Sequence, residues 1–201
     1  MTEHARRVGL DPRDYDDRWA RLEASGQDAH GEATRVMRLL DGRDTLGPAP
    51  RVLDAGCGTG RVAIRLAERG CATVGVDLDT TLLAHAATKS PRCDWVTADL
   101  ATLADDVIPG PFDAIVAAGN VMIFLAPGTE AAVVRNLAAR LAPGGVLVSG
   151  FQLNDRLHLT DYDALVASSG LERVARDATW DGEPFAGGDY VVAVDRRVTV
   201  S

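Results

Sequence analysis

The chain has 201 residues, a length that suits one domain, and its hydrophobic content of 46% is enough for a sizeable core. No stretch approaches the roughly 20 apolar residues that a membrane span requires, so no membrane association is expected. Acidic residues outnumber basic ones by 29 to 21, and the basic pairs Arg6-Arg7 and Arg196-Arg197 are short. Because nucleic acid is usually bound by a basic patch, it is a poor candidate partner.

The first 45 or so residues predict a helical segment ahead of the first strand. The stretches "DYDDRWARLEASG" and "GEATRVMRLLDG" carry apolar residues at helical spacing, for example Val36, Leu39 and Leu40. They fit two helices packed on the edge of a sheet, and they also fit a lid over an active site. The opening "MTEHARRVGL" lacks the apolar region of a signal peptide, so a cytoplasmic protein is expected.

Strands and helices alternate from Arg51 onward. The apolar runs "RVLDAG", "CATVGVDLD", "CDWVTADL", "FDAIVAAG" and "VLVSGFQL" predict five strands. The segments "RVAIRLAERG", "TTLLAHAATKS" and "TEAAVVRNLAARLAPGG" predict the helices between them, with Asp79 or Thr80 capping the second and Thr129 the third. Strands that are apolar throughout and separated by helices predict a parallel sheet covered on both faces.

The last part of the chain has a different pattern. "TDYDALVASSG" predicts a helix with Thr160 and Asp163 in capping-box spacing. "LERVARDATW" and "DYVVAVDRRV" predict two strands, and the short loop between them favours antiparallel neighbours. The predicted fold class is therefore α/β: a Rossmann-like, doubly wound, mostly parallel seven-stranded sheet with an antiparallel C-terminal hairpin and helices on both faces.

The stretch "VLDAGCGTG" places three glycines, Gly56, Gly58 and Gly60, directly after the first strand. Glycines there let the backbone turn tightly and approach a ligand, at the sheet edge where open α/β proteins bind ligands. The dinucleotide pattern G-x-G-x-x-G is not met, because Arg61 stands at the sixth place. A P-loop is also excluded, since no Gly-Lys-Ser/Thr follows.

Acidic residues mark the ends of the first three strands. Asp54 precedes the first glycine, Asp77 closes the second strand and Asp99 closes the third. A carboxylate about 20 residues beyond such a glycine turn is placed to accept hydrogen bonds from a ribose diol. Three carboxylates in phase with the strand ends favour a binding site at this edge over a merely solvated surface.

These residues resemble those of the class I S-adenosylmethionine-dependent methyltransferases of the small-molecule type. "VLDAGCGTG" is similar to the family's first motif, "VGVDLD" to its second-strand motif and "TADL" to its third. "LAPGGVLVSG" resembles the segment that leads into the fifth strand. The resemblance runs from about Arg51 to Asp195. It implies a single methyltransferase domain over 1–201, with an N-terminal helical lid (1–45) and a Rossmann-like core (50–201).

The resemblance also implies which residues bind S-adenosyl-L-methionine and its product S-adenosyl-L-homocysteine. At the methionine end, the backbone of Gly56, Cys57 and Gly58 approaches the cofactor and Asp54 orients the loop. The end of the fourth strand, Ala117 and Ala118, lies nearby.

At the nucleoside end, the resemblance implies that Asp77 accepts from both ribose hydroxyls and that Leu78 packs on the adenine. Asp99 accepts from the adenine amino group, and the backbone N–H of Leu100 meets a ring nitrogen. Tyr15 and Trp19, four residues apart on one predicted helix face, either stack near the cofactor or acceptor or form a core pair.

The acceptor side is less defined by the sequence. Within "AGNVMIFL", Asn120 is a candidate for orienting a polar group, while Met122 and Phe124 supply an apolar wall or ordinary core. His158 and Asp155 are candidate bases, and Tyr15 is a further catalytic candidate. The loop lacks the Asn-Pro-Pro-Tyr type of sequence that the family uses for amino groups of nucleobases and glutamine, which favours a small-molecule acceptor.

The expected function is methyl transfer from S-adenosylmethionine to a small molecule by in-line displacement. The alternative is a non-catalytic protein that binds S-adenosylmethionine or S-adenosylhomocysteine. A nicotinamide-dependent oxidoreductase is disfavoured by Arg61 at the sixth place. The three cysteines and four histidines show no metal spacing, so no metal site is expected. The sequence leaves the acceptor atom and the oligomeric state open.

Overall fold

The computed structural model describes residues 16, 17, 21, 30–42, 48–104 and 106–199. Its helices are α1 (Gly31–Leu40), α2 (Arg61–Glu68), α3 (Thr80–Lys89), α4 (Val121–Phe124), α5 (Glu130–Arg140) and α6 (Leu159–Ser168). Its strands are β1 (Arg51–Ala55), β2 (Ala72–Asp77), β3 (Asp94–Thr97), β4 (Phe112–Ala117), β5 (Leu141–Gln152), β6 (Leu171–Asp177) and β7 (Tyr190–Arg197). The order of the predicted elements is confirmed, with two differences: the short helix α4 lies in a segment predicted as a loop, and β5 begins at Leu141, inside the segment predicted as the end of a helix.

The seven strands form one sheet in the order β3-β2-β1-β4-β5-β7-β6. Strands β1 to β5 are parallel to one another, and β7 is antiparallel to both β5 and β6. The predicted mostly parallel sheet with its antiparallel hairpin is confirmed. The chain runs outward from β1 to β3 and then returns to β4, so the strand order reverses between β1 and β4. Ligands of open α/β sheets bind at such a reversal.

Helices cover both faces of the sheet. One apolar core lies under α1 and α2 and includes Val36, Leu66 and Val148. The other lies under α5 and α6 and includes Leu137, Phe151 and Tyr162. Successive side chains of a strand point to opposite faces, and β7 accordingly sends its residues into the two cores in turn. A strand buried on both sides must be apolar throughout, which is why these strands lack alternation in the sequence.

The helix starts agree with the sequence in one case and differ in another. Asp79 caps α3, because its side chain accepts from the backbone N–H groups of Thr81 at 2.8 Å and Leu82 at 3.2 Å. The capping box predicted at Thr160 and Asp163 is wrong. The N-cap residue of α6 is His158, and the Asp163 carboxylate accepts instead from Arg176 on β6. Because α6 begins at Leu159, Thr160 and Asp163 lie inside the helix and cannot form a capping box at its start.

Thr129 occupies the N-cap position of α5 as predicted, but its hydroxyl donates to the Ala126 carbonyl at 2.7 Å and makes no side-chain cap. The predicted helical segment at the start of the chain is described only in part. Asp16, Asp17 and Arg21 are helical, and α1 packs Val36 and Leu40 into the core beneath it. Among the described residues, no helix has the length and apolar character needed to cross a membrane.

Candidate functional site

The glycine turn joins β1 to α2 at the point of strand reversal. Gly56, Gly58 and Gly60 have φ values of 75°, 56° and 81°, all in the left-handed region where glycine is favoured. A Cβ on Gly60 would lie 2.3 Å from the Trp95 ring, so this glycine lets the turn pack against β3. A Cβ on Gly58 would meet no atom within 4 Å. The turn is therefore tight on its inner side and open at Gly58.

Asp54 lies under this turn and fixes it to α2. Its side chain is almost fully buried, and Oδ2 accepts a hydrogen bond from the backbone N–H of Ala63 at 3.0 Å. Burial raises the pKa of Asp54 to about 7, against the lowering effects of the Ala63 hydrogen bond and of Arg61. The resting site thus holds a carboxyl group that gains or loses a proton near neutral pH.

Asp77, the last residue of β2, contacts the same turn from the other side. Its Oδ2 accepts from the N–H of Gly58 at 2.8 Å, and its Oδ1 accepts from the N–H of Asp79 at 3.0 Å. Leu78 beside it has 49% of its surface exposed. Asp77 and Leu78 therefore place a carboxylate and an uncovered apolar side chain next to the open side of Gly58.

The third acidic position lies two residues beyond β3. The Asp99 Oδ1 accepts from the N–H of Ala101 at 2.8 Å, which closes a tight local turn. Asn136 of α5 donates to the carbonyls of Leu100 at 2.9 Å and Ala101 at 3.0 Å, and so holds this turn against the helix. The Leu100 side chain is buried beneath it.

A cleft with about 260 Å³ of empty space opens between the glycine turn and the end of β4. It brings together four of the expected cofactor residues, while Ala117 is fully buried just inside β4. The residues that line it are Asp54, Gly56, Cys57, Arg61, Val62, Ala118 and Gly119.

Arg61 and Glu32 form a pair beside this cleft that the sequence analysis missed. Arg61 Nη1 lies 2.9 Å from Glu32 Oε2, and Nη2 lies 2.5 Å from Oε1, so the pair is bidentate. The two side chains are 10% and 9% exposed. The signal in the sequence was an arginine next to the last glycine of the turn, but it does not reveal a partner 29 residues earlier in the chain.

The loop after β4 joins the glycine turn to β5. Asn120 adopts a left-handed φ of 67°, its N–H donates to the Gly150 carbonyl at 3.2 Å, and its Oδ1 accepts from the N–H of Gln152 at 2.8 Å. Its amide oxygen thus orients the end of β5. Met122 is 1% exposed within the core under α5 and α6, so it takes the core role of the two considered. Phe124 is half-buried.

Trp180 and Tyr190 form a second feature that the sequence analysis missed. A Cβ on Gly150 would lie 2.2 Å from the Trp180 ring and 2.6 Å from the Tyr190 hydroxyl. Trp180 Nε1 donates to that hydroxyl at 3.0 Å, and burial raises the pKa of Tyr190, which remains a neutral phenol. Strand register places Tyr190 opposite Gln152 at the carboxyl end of β5. The pair forms an aromatic wall that only the fold of β7 beside β5 could reveal.

The remaining candidates lie apart from the cleft or outside the described residues. His158 and Asp155 are exposed in the loop that leads into α6. Tyr15 and Trp19 lie outside the described part of the chain. Between them, the Asp16 carboxylate accepts from Thr59 Oγ1 at 2.6 Å and Lys89 Nζ at 2.6 Å, and lies 2.9 Å from His85 Nε2. Residue 16 is thereby joined to the glycine turn and to α3.

Comparison with known proteins gives the class to which this fold and site belong. A family model described as "Methyltransferase domain" matches residues 52–145. A TehB-like S-adenosylmethionine-dependent methyltransferase from Corynebacterium glutamicum has a structure that superposes with a TM-score of 0.81 at 33% identity, covering 92% of this chain and 97% of that one. The chain belongs to the family of S-adenosylmethionine-dependent methyltransferases.

Two curated relatives have a similar sequence identity over a smaller part of this chain. A trans-aconitate 2-methyltransferase from Paracidovorax citrulli is 36% identical over 151 residues, covering 74% of this chain and 54% of that protein. A glycine N-methyltransferase from Mus musculus is 34% identical over 152 residues, covering 61% of this chain and 52% of that protein. The chain thus spans about half the length of these relatives.

The described residues fit the cofactor of this family. Gly58 has open space where a side chain would stand, and Asp77 and Leu78 offer a carboxylate and an apolar face beside it. S-Adenosylmethionine has a sulfonium and hydroxyl and amine donors but no phosphate, so carboxylates suit it better than a glycine turn lined with phosphate-directed N–H groups. Among the residues that the structure describes, no cluster of three potential ligands could hold a metal ion.

Proposed function

We propose that this protein transfers a methyl group from S-adenosylmethionine to a small-molecule acceptor. The observation that carries the proposal is the meeting of Asp77 with the open side of Gly58 at the strand reversal. The cofactor supplies a methyl group on a sulfonium, and in-line displacement needs the acceptor's lone pair opposite that methyl group. The chain therefore has to bind the cofactor and the acceptor, orient them towards each other and exclude water.

The roles proposed for the cofactor residues follow their positions. Asp77 accepts from the ribose hydroxyls, Leu78 covers the adenine, and Asp99 with the Leu100 N–H recognises the adenine edge. Asp54, Gly56, Cys57, Gly58, Ala117 and Ala118 form the methionine end. Asp54 and Asp77 already hold the glycine turn by hydrogen bonds, so they fix its shape before any ligand arrives. Residues 1–45 are proposed as a cover for this site, supported by the contact of Asp16 with Thr59.

A small-molecule acceptor is supported by charge and by the relatives. The net charge of −8 disfavours nucleic acid. The relatives compared above are named for glycine and trans-aconitate, both of which are small molecules. All of them are named as methyltransferases, which favours catalysis over the binding-only alternative. The described cysteines are free, which fits the cytoplasm as the proposed compartment.

The first experiment measures which ligand stabilises the protein and whether the methyl group of S-adenosylmethionine is transferred to an acceptor. Thermal unfolding is followed with S-adenosylmethionine, S-adenosylhomocysteine and NAD in turn, because binding raises stability by RT ln(1 + [L]/Kd). Transfer of tritium from methyl-labelled S-adenosylmethionine is then assayed with glycine, trans-aconitate and a panel of small amines, phenols and carboxylic acids. Stabilisation by NAD alone would refute the proposal.

A second experiment tests the residue on which the proposal depends. Asp77→Ala should weaken S-adenosylhomocysteine binding by about 1–3 kcal/mol, because the ribose hydroxyls lose their charged acceptor. Isothermal titration measures the affinity, and thermal unfolding shows that the variant is folded. Asp94→Ala is the matched control, since Asp94 is exposed at the opposite, amino-terminal end of the adjacent strand β3. Equal affinity of the two variants would remove Asp77 from the site.

A further inference from the structure

The Asp16 carboxylate joins three side chains that belong to two other parts of the chain. Its Oδ1 accepts a hydrogen bond from Thr59 Oγ1 at 2.6 Å. Its Oδ2 accepts from Lys89 Nζ at 2.6 Å and lies 2.9 Å from His85 Nε2. Thr59 belongs to the glycine turn, whereas His85 and Lys89 belong to α3. These four residues, called the latch below, therefore tie the N-terminal segment at Asp16 to both elements.

The latch depends on the charge of its carboxylate. Partial burial raises the pKa of Asp16, but the hydrogen bonds of the latch outweigh burial and hold this pKa below its usual value. Asp16 is therefore ionised at neutral pH. The side chains of Asp16, His85 and Lys89 are 28%, 29% and 31% exposed. Because solvent reaches all three of them, salt weakens the attraction between their charges.

The fold does not require the latch. Asp54 and Asp77 already hold the glycine turn through hydrogen bonds from backbone N–H groups. Ion pairs that are partly exposed to water add little to stability. A role in ligand exchange accounts better for a contact that is made at this place and that depends on charge.

The latch lies beside the proposed cofactor site at two places. Thr59 directly follows Gly58, whose open side receives the cofactor in the proposed function. α3 begins two residues after Leu78, which covers the adenine in that proposal. While the latch is closed, Asp16 therefore keeps the N-terminal segment next to the elements that hold both ends of the cofactor.

We propose that Asp16 is a positioning residue whose latch to Thr59, His85 and Lys89 opens each time the cofactor enters and each time its product leaves. This inference rests on the proposed function. Because the same opening limits both steps, the latch sets the rate of exchange and hardly changes the strength of binding. A group that only stabilised the bound state would slow departure and leave entry unchanged.

The test measures how fast S-adenosylhomocysteine enters and leaves. Release of the tritiated compound into an excess of unlabelled compound gives the dissociation rate, isothermal titration gives the dissociation constant, and their quotient gives the association rate. In Asp16→Ala, both rates should rise about tenfold and the dissociation constant should change less than about threefold, since opening no longer breaks charged hydrogen bonds. Lys89→Met removes one exposed ion pair and should raise both rates about two- to fivefold.

Two substitutions of Thr59 separate its hydrogen bond from its packing. Thr59→Val keeps the shape of the side chain but cannot donate to Asp16, so both rates should rise about threefold or more. Thr59→Ser keeps the hydroxyl and should restore rates close to those of the wild-type protein. Asp94→Ala and Arg92→Met are matched controls, because both residues are exposed at the amino-terminal side of β3. Neither control should change the rates.

The response to salt distinguishes the latch from a merely structural contact. Between about 0.05 M and 1 M sodium chloride, both rates of the wild-type protein should rise about two- to fivefold, because screening weakens the pairs of Asp16. The rates of Asp16→Ala should change much less over the same range, since the variant has no carboxylate to screen.

Unchanged rates in Asp16→Ala and Lys89→Met would overturn the inference. Faster departure without faster entry would also overturn it, because Asp16 would then act only on the bound state. In both cases, binding by the wild-type protein still supports the proposed function. If the wild-type protein does not bind S-adenosylhomocysteine, the proposed function fails and the inference fails with it. Thermal unfolding verifies that each variant is folded, and Lys89→Met decides the outcome if Asp16→Ala does not fold.

Discussion

Single residues at the glycine turn divide between making the fold and leaving room for a ligand. Gly60 and Gly58 both have positive φ, yet only Gly60 has a neighbouring side chain where its Cβ would stand. The sequence alone does not distinguish the roles of the three glycines. Their separate roles depend on Trp95, which reaches the turn from β3 and could not be placed from spacing.

The two glycines should therefore respond differently to the same substitution. Gly60→Ala should lower the unfolding free energy by about 3 kcal/mol or more, from the left-handed backbone and the overlap with Trp95. Gly58→Ala should lower it by about 1–2 kcal/mol from the backbone alone, but should abolish S-adenosylhomocysteine binding. Denaturant unfolding and titration measure the two effects. Similar losses of stability would contradict the role given to Trp95.

Asp54 makes stability depend on pH in a direction opposite to most carboxylates. Its pKa in the folded protein is about 7 and its ordinary value is 3.8. The stabilising contribution of this group is complete below the unfolded value and is lost as pH rises through 7.

Between pH 5 and 7, the unfolding free energy of the ligand-free protein should fall, relative to that of Asp54→Asn, by at most about 1.4 kcal/mol per pH unit. Asparagine keeps an oxygen to accept from Ala63 but does not titrate. Denaturant unfolding of both proteins across this range measures the difference, which cancels the contributions of other groups. Parallel curves would show that Asp54 titrates normally.

At the scale of elements, the short helix α4 depends on a clamp from the neighbouring loop. Arg156 Nη1 donates to the Ile123 carbonyl at 2.9 Å, and Nη2 donates to the Leu125 carbonyl at 2.7 Å. These are carbonyls at the end of a four-residue helix, which cannot satisfy them itself. The clamp fixes the segment that follows Asn120 and so shapes the acceptor side of the site.

Arg156→Met should loosen α4 without unfolding the protein. Hydrogen exchange of the amides in 121–125 should become about tenfold faster or more, since the carbonyls lose two charged donors. Arg173→Met is the matched control, because Arg173 is 65% exposed in its pair with Asp163 and should leave exchange unchanged. Unaltered exchange in Arg156→Met would show that packing alone holds α4.

The sequence predicted most elements because their apolar runs are long and their breakers are clear. It placed the start of α3 at Asp79 or Thr80, and Asp79 is the cap, but it failed at α6, which begins before Thr160 and whose Asp163 pairs with Arg176 on a distant strand. The same division holds at the site. Asp54, Asp77 and the glycines follow from spacing, whereas the Arg61–Glu32 and Trp180–Tyr190 pairs join elements whose proximity spacing does not show.

At the scale of the whole molecule, a buried polar network lies on the face of the sheet opposite α1. It connects α6 to the strands at the antiparallel end of the sheet. The Tyr162 hydroxyl of α6 lies 3.1 Å from Ser149 Oγ on β5 and 3.0 Å from Asp195 Oδ2 on β7. Arg176 on β6 lies 2.7 Å from Asp195 Oδ1. The network connects a helix and three strands, and it lies on the far side of the sheet from the Arg61–Glu32 pair.

Tyr162→Phe should lower the unfolding free energy by about 1–3 kcal/mol, because Ser149 and Asp195 lose a buried hydrogen-bonding partner. The affinity for S-adenosylhomocysteine should not change. Asp77→Ala gives the comparison, because it should lose affinity for S-adenosylhomocysteine in addition to the stability that its hydrogen bonds to Gly58 and Asp79 supply. Denaturant unfolding and titration of both variants measure this separation, and a drop in affinity for Tyr162→Phe would show that the two faces are coupled.

The placement of β7 has a consequence for the chain as it is being synthesised. In the described sheet β6 pairs only with β7, and β7 also covers the outer edge of β5. Since β7 emerges from the ribosome after both, each of those strands waits with exposed backbone groups until Tyr190–Arg197 has been released. A nascent chain stalled before Tyr190 is therefore the form most prone to aggregate, although its glycine turn and its strands β1 to β6 have already been synthesised.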